Sequence, residues 1–329
     1  MIELNLEYEE IYPRIFVYKN LLPHINKIYY VISESEKVNS GKAYFEEWSE
    51  WFTFGTYCGA KQHTKAIEDF YNFILSDELS SSEKEELRKQ FSDQMTVYRD
   101  VSNSNQLALI HYSQKNNINL PDNSFIPELN IAKYYNDVDL GNNREDTLAM
   151  QFHTDYSLGE WYWPNNNFIV TCTTYINEDY DGGELLFVCG KDIIKYKPNA
   201  GDILVFPSGS PMYPDYPDRQ PYFHAVNSVK NKPKYFIRNY IKYPHAAEDL
   251  WSRNEEKYGE DWPDIAKSRG NGQNILIVRT KDDKPFNPDS YHNEESFDFY
   301  GSNLISRFYD VPEELYQIYN NIYEFEEFE

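Results

Sequence analysis

Between residues 128 and 241 the chain is cut into eight short runs rich in β-branched and aromatic residues: 128–135, 148–153, 168–177, 184–188, 192–196, 202–206, 222–229 and 234–241. Gly, Pro, Asn and Asp cluster between them, most clearly at Asp181-Gly182-Gly183 and Pro198-Asn199-Ala200-Gly201-Asp202. Branched and aromatic side chains suit a pleated surface, and those turn residues supply the angles that reverse a chain. So many short strands with such punctuation predict a jelly roll or a barrel.

The first hundred residues have a different texture. After a strand-like run at 11–18, apolar residues recur at helical spacing in 21–36 (Leu22, Ile25, Ile28, Tyr29, Ile32) and in 64–75 (Ile67, Phe70, Tyr71, Ile74). A third helix is expected over 82–95, where Ser81 and Ser82 precede a run of glutamates at the end where N–H groups lack partners. Helices before and strands after predict an α+β chain whose helices buttress one sheet. The pattern loosens beyond His245: 248–258 reads as helix, 274–279 as strand and 311–323 as helix. With no internal repeat and no Gly/Ser linker, the expected organisation is a strand-and-helix support region (1–127), a β core (128–244) and an extension (245–329) on the same domain. The extension ends in an acidic, aromatic tail, expected to be solvated.

With 31 basic and 54 acidic residues the formal charge is −23, which repels phosphate backbones and anionic membrane surfaces. No nucleic-acid partner and no membrane partner are expected. No run approaches the roughly 20 apolar residues of a spanning helix, and the N-terminus lacks a basic region and a signal-length apolar stretch. The three cysteines, Cys58, Cys172 and Cys189, are too few and odd in number for a disulfide framework. A cytoplasmic protein is expected, with Cys172 and Cys189 as core residues.

The strand-like runs carry a metal-binding set. His153 and Asp155 are two residues apart, so on a strand both side chains point to one face. His224, in the run 222–229, supplies a second imidazole from a partner strand. Two imidazoles and one carboxylate on one face of an ion, with the remaining positions open, are the ligand set of non-haem Fe(II) oxygenases. The carboxylate fills the place a halide would need, so halogenation is disfavoured. A 2-oxo acid co-substrate also needs a cation for its far carboxylate. Lys234, ten residues after His224, can serve; Arg238, four residues on and on the same strand face, is its rival. Tyr175 offers a hydroxyl to the same group.

Taken together, residues 128–243 resemble the prolyl-4-hydroxylase-like branch of the Fe(II)- and 2-oxoglutarate-dependent dioxygenases. The features are His153-Thr154-Asp155, TYINEDYDGGELLF at 174–187, PNAGDILVFP at 198–207, and His224 followed by Lys234. The opening IFVYKNLL at 15–22 is similar to the family's first strand and helix. The resemblance implies a double-stranded β-helix (jelly roll, cupin-like) core. It implies oxidative decarboxylation of 2-oxoglutarate by O2 coupled to C–H hydroxylation, with ascorbate as reductant of stranded iron. Carried over residue by residue, it assigns His153, Asp155 and His224 to Fe(II), and Lys234 and Tyr175 to 2-oxoglutarate. Tyr134 takes the place of an active-site tyrosine on the first core strand.

Two departures concern the substrate pocket: Met150 replaces a frequent tyrosine, and a polar insertion occupies 136–146. The aromatic stretches 160–164 and 213–219 are equally readable as substrate walls or as packing, with Arg219 suited to an anionic substrate. His24, His63, His111, His245 and His292 lack partners at ligand spacing and are expected on the surface or in the core. The substrate is expected to be a peptidyl proline or another protein residue. A free amino acid or other small metabolite is the alternative, and a non-catalytic β-helix binding module is the alternative from another class.

Overall fold

The computed structural model describes residues 3–38, 45–48, 80–118, 130–134, 148–157, 168–189, 192–208, 222–242, 273–280 and 297–301. The helices expected at 64–75, 248–258 and 311–323 lie outside the described residues. So do the insertion, the two aromatic stretches, the tail, Cys58, His63, His245 and His292.

The elements in chain order are β1 (Glu9–Tyr12), β2 (Ile15–Tyr18), α1 (Ile25–Val38), β3 (Phe45–Trp48), α2 (Ser81–Lys115), β4 (Asn130–Tyr134), β5 (Leu148–Ser157), β6 (Phe168–Tyr175), β7 (Asp181–Gly182), β8 (Leu185–Cys189), β9 (Asp192–Tyr196), β10 (Ile203–Pro207), β11 (His224–Asn227), β12 (Val229–Lys230), β13 (Lys234–Lys242), β14 (Gln273–Thr280) and β15 (Phe297–Gly301). A larger sheet runs β1-β2-β10-β6-β13-β4-β3, and a smaller one β15-β14-β5-β11-β8-β9. Neighbours pair antiparallel throughout, and strands distant in sequence sit side by side. This is a jelly-roll core with helices on one side, the α+β architecture expected from the sequence.

The alternation of side chains explains why the larger sheet is apolar on both faces. Phe16, Tyr18, Val170, Cys172, Ile203, Val205, Tyr235 and Ile237 point outward and pack against α1 (Ile28, Val31, Ile32) and α2 (Val97, Val101, Ala108, Tyr112). Their neighbours Val17, Leu204, Phe206, Tyr175 and Phe236 point inward and meet Ala149, Leu185, Phe187 and Val226 of the smaller sheet. A strand buried on both faces reads as a continuous apolar run, as ILVFP of β10 does.

Helix α2 is 35 residues long, not the 14 expected. It starts on a capping box: Ser80 Oγ accepts from Glu83 N, and Glu83 accepts from Ser80 N at 2.8 Å. Its second half was hidden because Ser104 and Asn105 interrupt the apolar stripe. Both are buried and bonded: Ser104 donates to the Leu21 carbonyl, and Asn105 Oδ1 accepts from Thr174 Oγ1 of β6 at 2.5 Å. Helix α1 begins at Ile25, later than expected, because Pro23 and His24 (φ 56°) hold the chain out of helical geometry. The strand expected at 11–18 is a hairpin, turned at Pro13-Arg14. The strands β3, β7 and β15 were not anticipated. The strand expected at 274–279 is β14, which pairs with β5. Among the described residues no helix is long and apolar enough to cross a membrane.

The ribbon of β7 and β12 is tight. Gly182 sits at φ +66°, and a Cβ there would strike the Ser228 carbonyl. Gly182→Ala is expected to lower stability by about 1–3 kcal/mol through backbone strain, with the collision adding to that. Thermal denaturation of the purified variant measures it; an unchanged midpoint would show that the ribbon relaxes freely.

Candidate active site

Strands β5 and β11 pair so that His224 lies directly opposite His153. The ring centroids are 4.5 Å apart. Asp155, two residues along β5, reaches both: Oδ1 is 3.8 Å from His153 Nε2, and Oδ2 is 3.5 Å from His224 Nε2. One ligand atom from each of the three lies within 4.8 Å of the others. The strand spacing expected of His153 and Asp155, and the arrival of His224 from a partner strand, are what the register delivers.

The surroundings orient these groups. Thr171 of β6 donates from Oγ1 to Asp155 Oδ2 at 2.7 Å and contacts Ser208 Oγ at 2.9 Å. His224 Nδ1 lies 3.1 Å from the Tyr222 carbonyl; a bond donated there turns the Nε2 lone pair toward Asp155. Tyr222 holds φ +52°, a strained value for a bulky residue, and its own ring is fully buried. Phe206 packs edge-on against the His224 ring at 4.9 Å, backed by Phe187. Burial alone would raise the pKa of Asp155. The charges of His224 and His153, the Thr171 hydrogen bond and the more distant Arg238 outweigh it and hold the carboxyl below its ordinary range. A buried donor set of two imidazoles and an ionised carboxylate fits a divalent metal with open positions.

The cavity beside this cluster runs along β13 and β6. Phe236 stands opposite Tyr175, and Arg238 opposite Thr173. Lys234 stands opposite Tyr134 of β4. The inward positions therefore run from Lys234 and Tyr175 at one end to Arg238 and Thr171 at the other, beside Asp155. Lys234 is 1% exposed, and its Nζ donates to the Gly183 carbonyl at 2.6 Å. The Nζ also lies 4.8 Å from the centre of the Tyr175 ring. Burial, with a smaller push from Lys197, drives the Lys234 pKa well below its ordinary value. Burial likewise raises the Tyr175 phenol, which keeps its proton. Gly183 (φ +67°) lets the turn approach: a Cβ would lie 2.8 Å from the Tyr180 ring and 3.2 Å from Lys234 Cδ. Tyr134 lines the cavity and stacks on Phe236 at 5.1 Å. All seven residues singled out in the sequence line this one cavity, and Met150 joins them.

Reasoning from the sequence missed Thr171, Ser208 and Tyr222. A trace of the first is present: Thr171 and Thr173 alternate with Val170 and Cys172, the polar residues facing the cavity and the apolar ones the helices. Nothing local marks Ser208 or Tyr222, whose roles come from chain crossings. His24 is exposed. His111 is buried and bonded to Tyr18 Oη at 2.9 Å.

Residues 142–242 match the family model of the 2OG-Fe(II) oxygenase superfamily. The match covers this segment, under a third of the chain, and the family it describes is one of oxygenases that use Fe(II), 2-oxoglutarate and O2. No curated protein matches the chain. Among solved structures, it is similar to a 2OG-Fe(II) oxygenase family oxidoreductase of Burkholderia pseudomallei (14% identity, TM-score 0.24, 36% of this chain). It spans 42% of that protein's length. It is also similar to a prolyl-4-hydroxylase of Pseudomonas putida (13% identity, 69% of this chain and 91% of that one, TM-score 0.35). A third is the Arabidopsis thaliana dioxygenase for auxin oxidation bound to 2-oxoglutarate (12% identity, 70% and 83%, TM-score 0.39). At such scores these likenesses carry no argument about substrate.

The Thr171 hydroxyl orients the Asp155 carboxylate. Thr171→Val is expected to weaken Fe(II) binding by about 10- to 100-fold, and Thr171→Ser to retain most of it. Anaerobic metal titration measures this; equal affinities for both variants and wild type would remove Thr171 from the site.

Proposed function

We propose that this protein hydroxylates an unactivated C–H bond with Fe(II) held by His153, Asp155 and His224, and with 2-oxoglutarate as co-substrate. One observation carries the reading: a single cavity has a two-imidazole, one-carboxylate cluster near one end and a buried amine, Lys234, at the other. Bound there, Fe(II) supplies the site at which O2 is reduced. In the overall reaction one O2 atom enters the C–H bond and the other enters succinate as CO2 leaves. Each organic partner gives up two electrons, and O2 takes all four.

The chain's own residues then have definite tasks. Asp155, kept ionised and oriented by Thr171, completes the metal face. Lys234, steered by the Gly183 carbonyl, receives the far carboxylate of 2-oxoglutarate, and Tyr175 donates to the same group. We favour Lys234 over Arg238 because Arg238 stands at the Asp155 end. A dicarboxylate bound to the metal extends away from that end. Tyr134, Phe236 and Phe206 wall the cavity and keep water out. We take 128–244 as the catalytic core, 1–127 as its support and 245–329 as an extension of the same domain. The pairing of β14 with β5 supports the last point. The buried cysteine side chains of Cys172 and Cys189 support a reducing, cytoplasmic setting. Ascorbate serves as reductant in this reading.

The motif order of the prolyl 4-hydroxylase-like branch supports a peptidyl proline or another protein residue as substrate, and the charge of −23 argues against nucleic acid. A specific observation favours a second reading, a free amino acid or other small molecule: Arg238 places another cation in the cavity.

Three outcomes are expected. Anaerobic addition of Fe(II) and then 2-oxoglutarate to the metal-free protein gives a visible charge-transfer band that Asp155→Ala lacks. A band that persists in Asp155→Ala would take that residue out of the metal site. Lys234→Ala raises the 2-oxoglutarate concentration needed for the band by at least about 30-fold, with little change in Fe(II) affinity; if Arg238→Ala does this instead, the anchors are exchanged. The third follows from the depressed Lys234 pKa. A carboxylate at Nζ restores the ammonium, so binding takes up a proton at pH values between the depressed and restored pKa, and affinity falls as pH rises through that window. Calorimetry in buffers of different ionisation heat reads the proton directly, and zero uptake would dissociate Lys234 from the co-substrate.

A further inference from the structure

We infer that Lys197 is a positioning residue for the co-substrate: an outer cation that clamps the 180–183 turn beside Lys234 and whose charge strengthens binding of the far carboxylate of 2-oxoglutarate. This rests on the Fe(II)/2-oxoglutarate reading above and adds to it a residue that is not among those lining the cavity.

The turn before β8 is gripped by lysines from both sheets. Lys197 follows β9, the edge of the smaller sheet, and its Nζ donates to the Tyr180 carbonyl at 3.0 Å and to the Gly182 carbonyl. Lys234 opens β13 of the larger sheet, and its Nζ donates to the next carbonyl, that of Gly183. Gly183 N donates to the Ser228 carbonyl at 2.9 Å, so the turn is held from a third direction. The Tyr180 ring meets both lysines: its centre is 3.8 Å from Lys197 Nζ and 5.7 Å from Lys234 Nζ. The two nitrogens therefore lie within about one screening length, ~10 Å, of each other.

Lys234 is not free to swing away from this neighbour. Asn177, 3% exposed, brackets it: Nδ2 donates to the Pro233 carbonyl and Oδ1 accepts from Tyr235 N, each at 2.8 Å. With the backbone fixed on both sides and the side chain buried, the place of Nζ is set by the carbonyl it bonds. Lys197 holds the carbonyl immediately before that one.

Charge adds to geometry. Burial does most to lower the Lys234 pKa; Lys197 lowers it further, and Glu184 raises it by less. The positive neighbour thus outweighs the negative one at this amine. Among the described residues, Lys197 Nζ bonds two carbonyls and no carboxylate. Glu178 and Asp181 are exposed to water, and Glu184 accepts from Asn227 Nδ2 at 2.8 Å. A cation bonded to neutral carbonyls keeps its field for an incoming anion. The charge that opposes a proton on Lys234 attracts a carboxylate to the same place.

The test uses the full chain loaded anaerobically with Fe(II), with the visible charge-transfer band as readout of 2-oxo acid binding. Two ligands are titrated: 2-oxoglutarate, and 2-oxopentanoate, which has the same carbon chain without the far carboxylate. Lys197→Met is expected to raise the 2-oxoglutarate concentration needed for the band by about 3- to 10-fold, and to leave that for 2-oxopentanoate within about 2-fold of wild type. Lys197→Gln, which keeps a hydrogen-bond donor but not the charge, is expected to behave like Lys197→Met, and Lys197→Arg to keep most of the wild-type preference. Added salt screens a partly exposed charge, so it narrows the gap between wild type and Lys197→Met. Equal losses for the two ligands would make Lys197 a scaffold residue only, and no loss for either would remove it from the co-substrate site. Each of these overturns the inference while the metal and co-substrate reading stands. Absence of the band in the wild-type protein with 2-oxoglutarate overturns the Fe(II)/2-oxoglutarate reading itself, and the inference with it.

Discussion

The antiparallel pairing of β5 with β11 is the constraint on which the site depends. It sets His224 opposite His153 and leaves Asp155 two residues along the same strand face. A slip of one residue would turn His224 to the other face of the smaller sheet and disperse the three donors. The register is held from both sides. On one side β11 pairs with β8, placing His224 opposite Phe187; on the other, β14 pairs with β5, placing Ile275 opposite His153. Part of the extension beyond residue 244 is thus bonded to the strand that carries two of the three donors.

The larger sheet has a different task. Its outer face is covered by α1 and α2, so its inner face can carry polar groups without loss of the sheet. Thr171, Thr173, Tyr175, Lys234 and Arg238 all lie on that inner face. Burying an ammonium such as Lys234 is unfavourable, as its depressed pKa records. The fold tolerates it because the Gly183 carbonyl accepts one hydrogen bond from the Nζ, which also lies over the Tyr175 and Tyr180 rings. Buried groups with perturbed pKa values of this kind cluster at functional sites.

Around His153, Asp155 and His224, the supporting contacts come from chain segments far apart in sequence. Thr171 and Ser208 are 37 residues apart, and Tyr222 Oη donates to the Pro13 carbonyl across 209 residues. The Tyr222 backbone, strained at φ +52°, supplies the carbonyl that orients His224. Asn105 of α2 binds Thr174, the neighbour of Tyr175, and so ties the long helix to the strand that lines the cavity. The helical layer is thereby part of the site's rigidity as well as of the core.

The sequence by itself determined the α+β class and the β core, and strand alternation and ligand spacing, local properties of the chain, pointed to His153, Asp155, His224, Lys234, Arg238 and Tyr175; the family resemblance added Tyr134, and all seven line one cavity. His153 and Asp155 are two apart, and period two is enough to put them on one face. The same local logic failed where a residue's neighbours are distant. The second half of α2 lay outside the helix expected at 82–95, and Ser104 and Asn105 within it find their partners, Leu21 and Thr174, 83 and 69 residues away. The hairpin at Pro13-Arg14, the β7–β12 ribbon and the roles of Thr171, Ser208 and Tyr222 followed only from which strands pair. The choice between Lys234 and Arg238 was open in the sequence because both share one strand face. The pairing of β13 with β4 and β6 sets Lys234 opposite Tyr134 and Arg238 opposite Thr173, since register across a sheet, unlike spacing along a strand, is set by tertiary contacts.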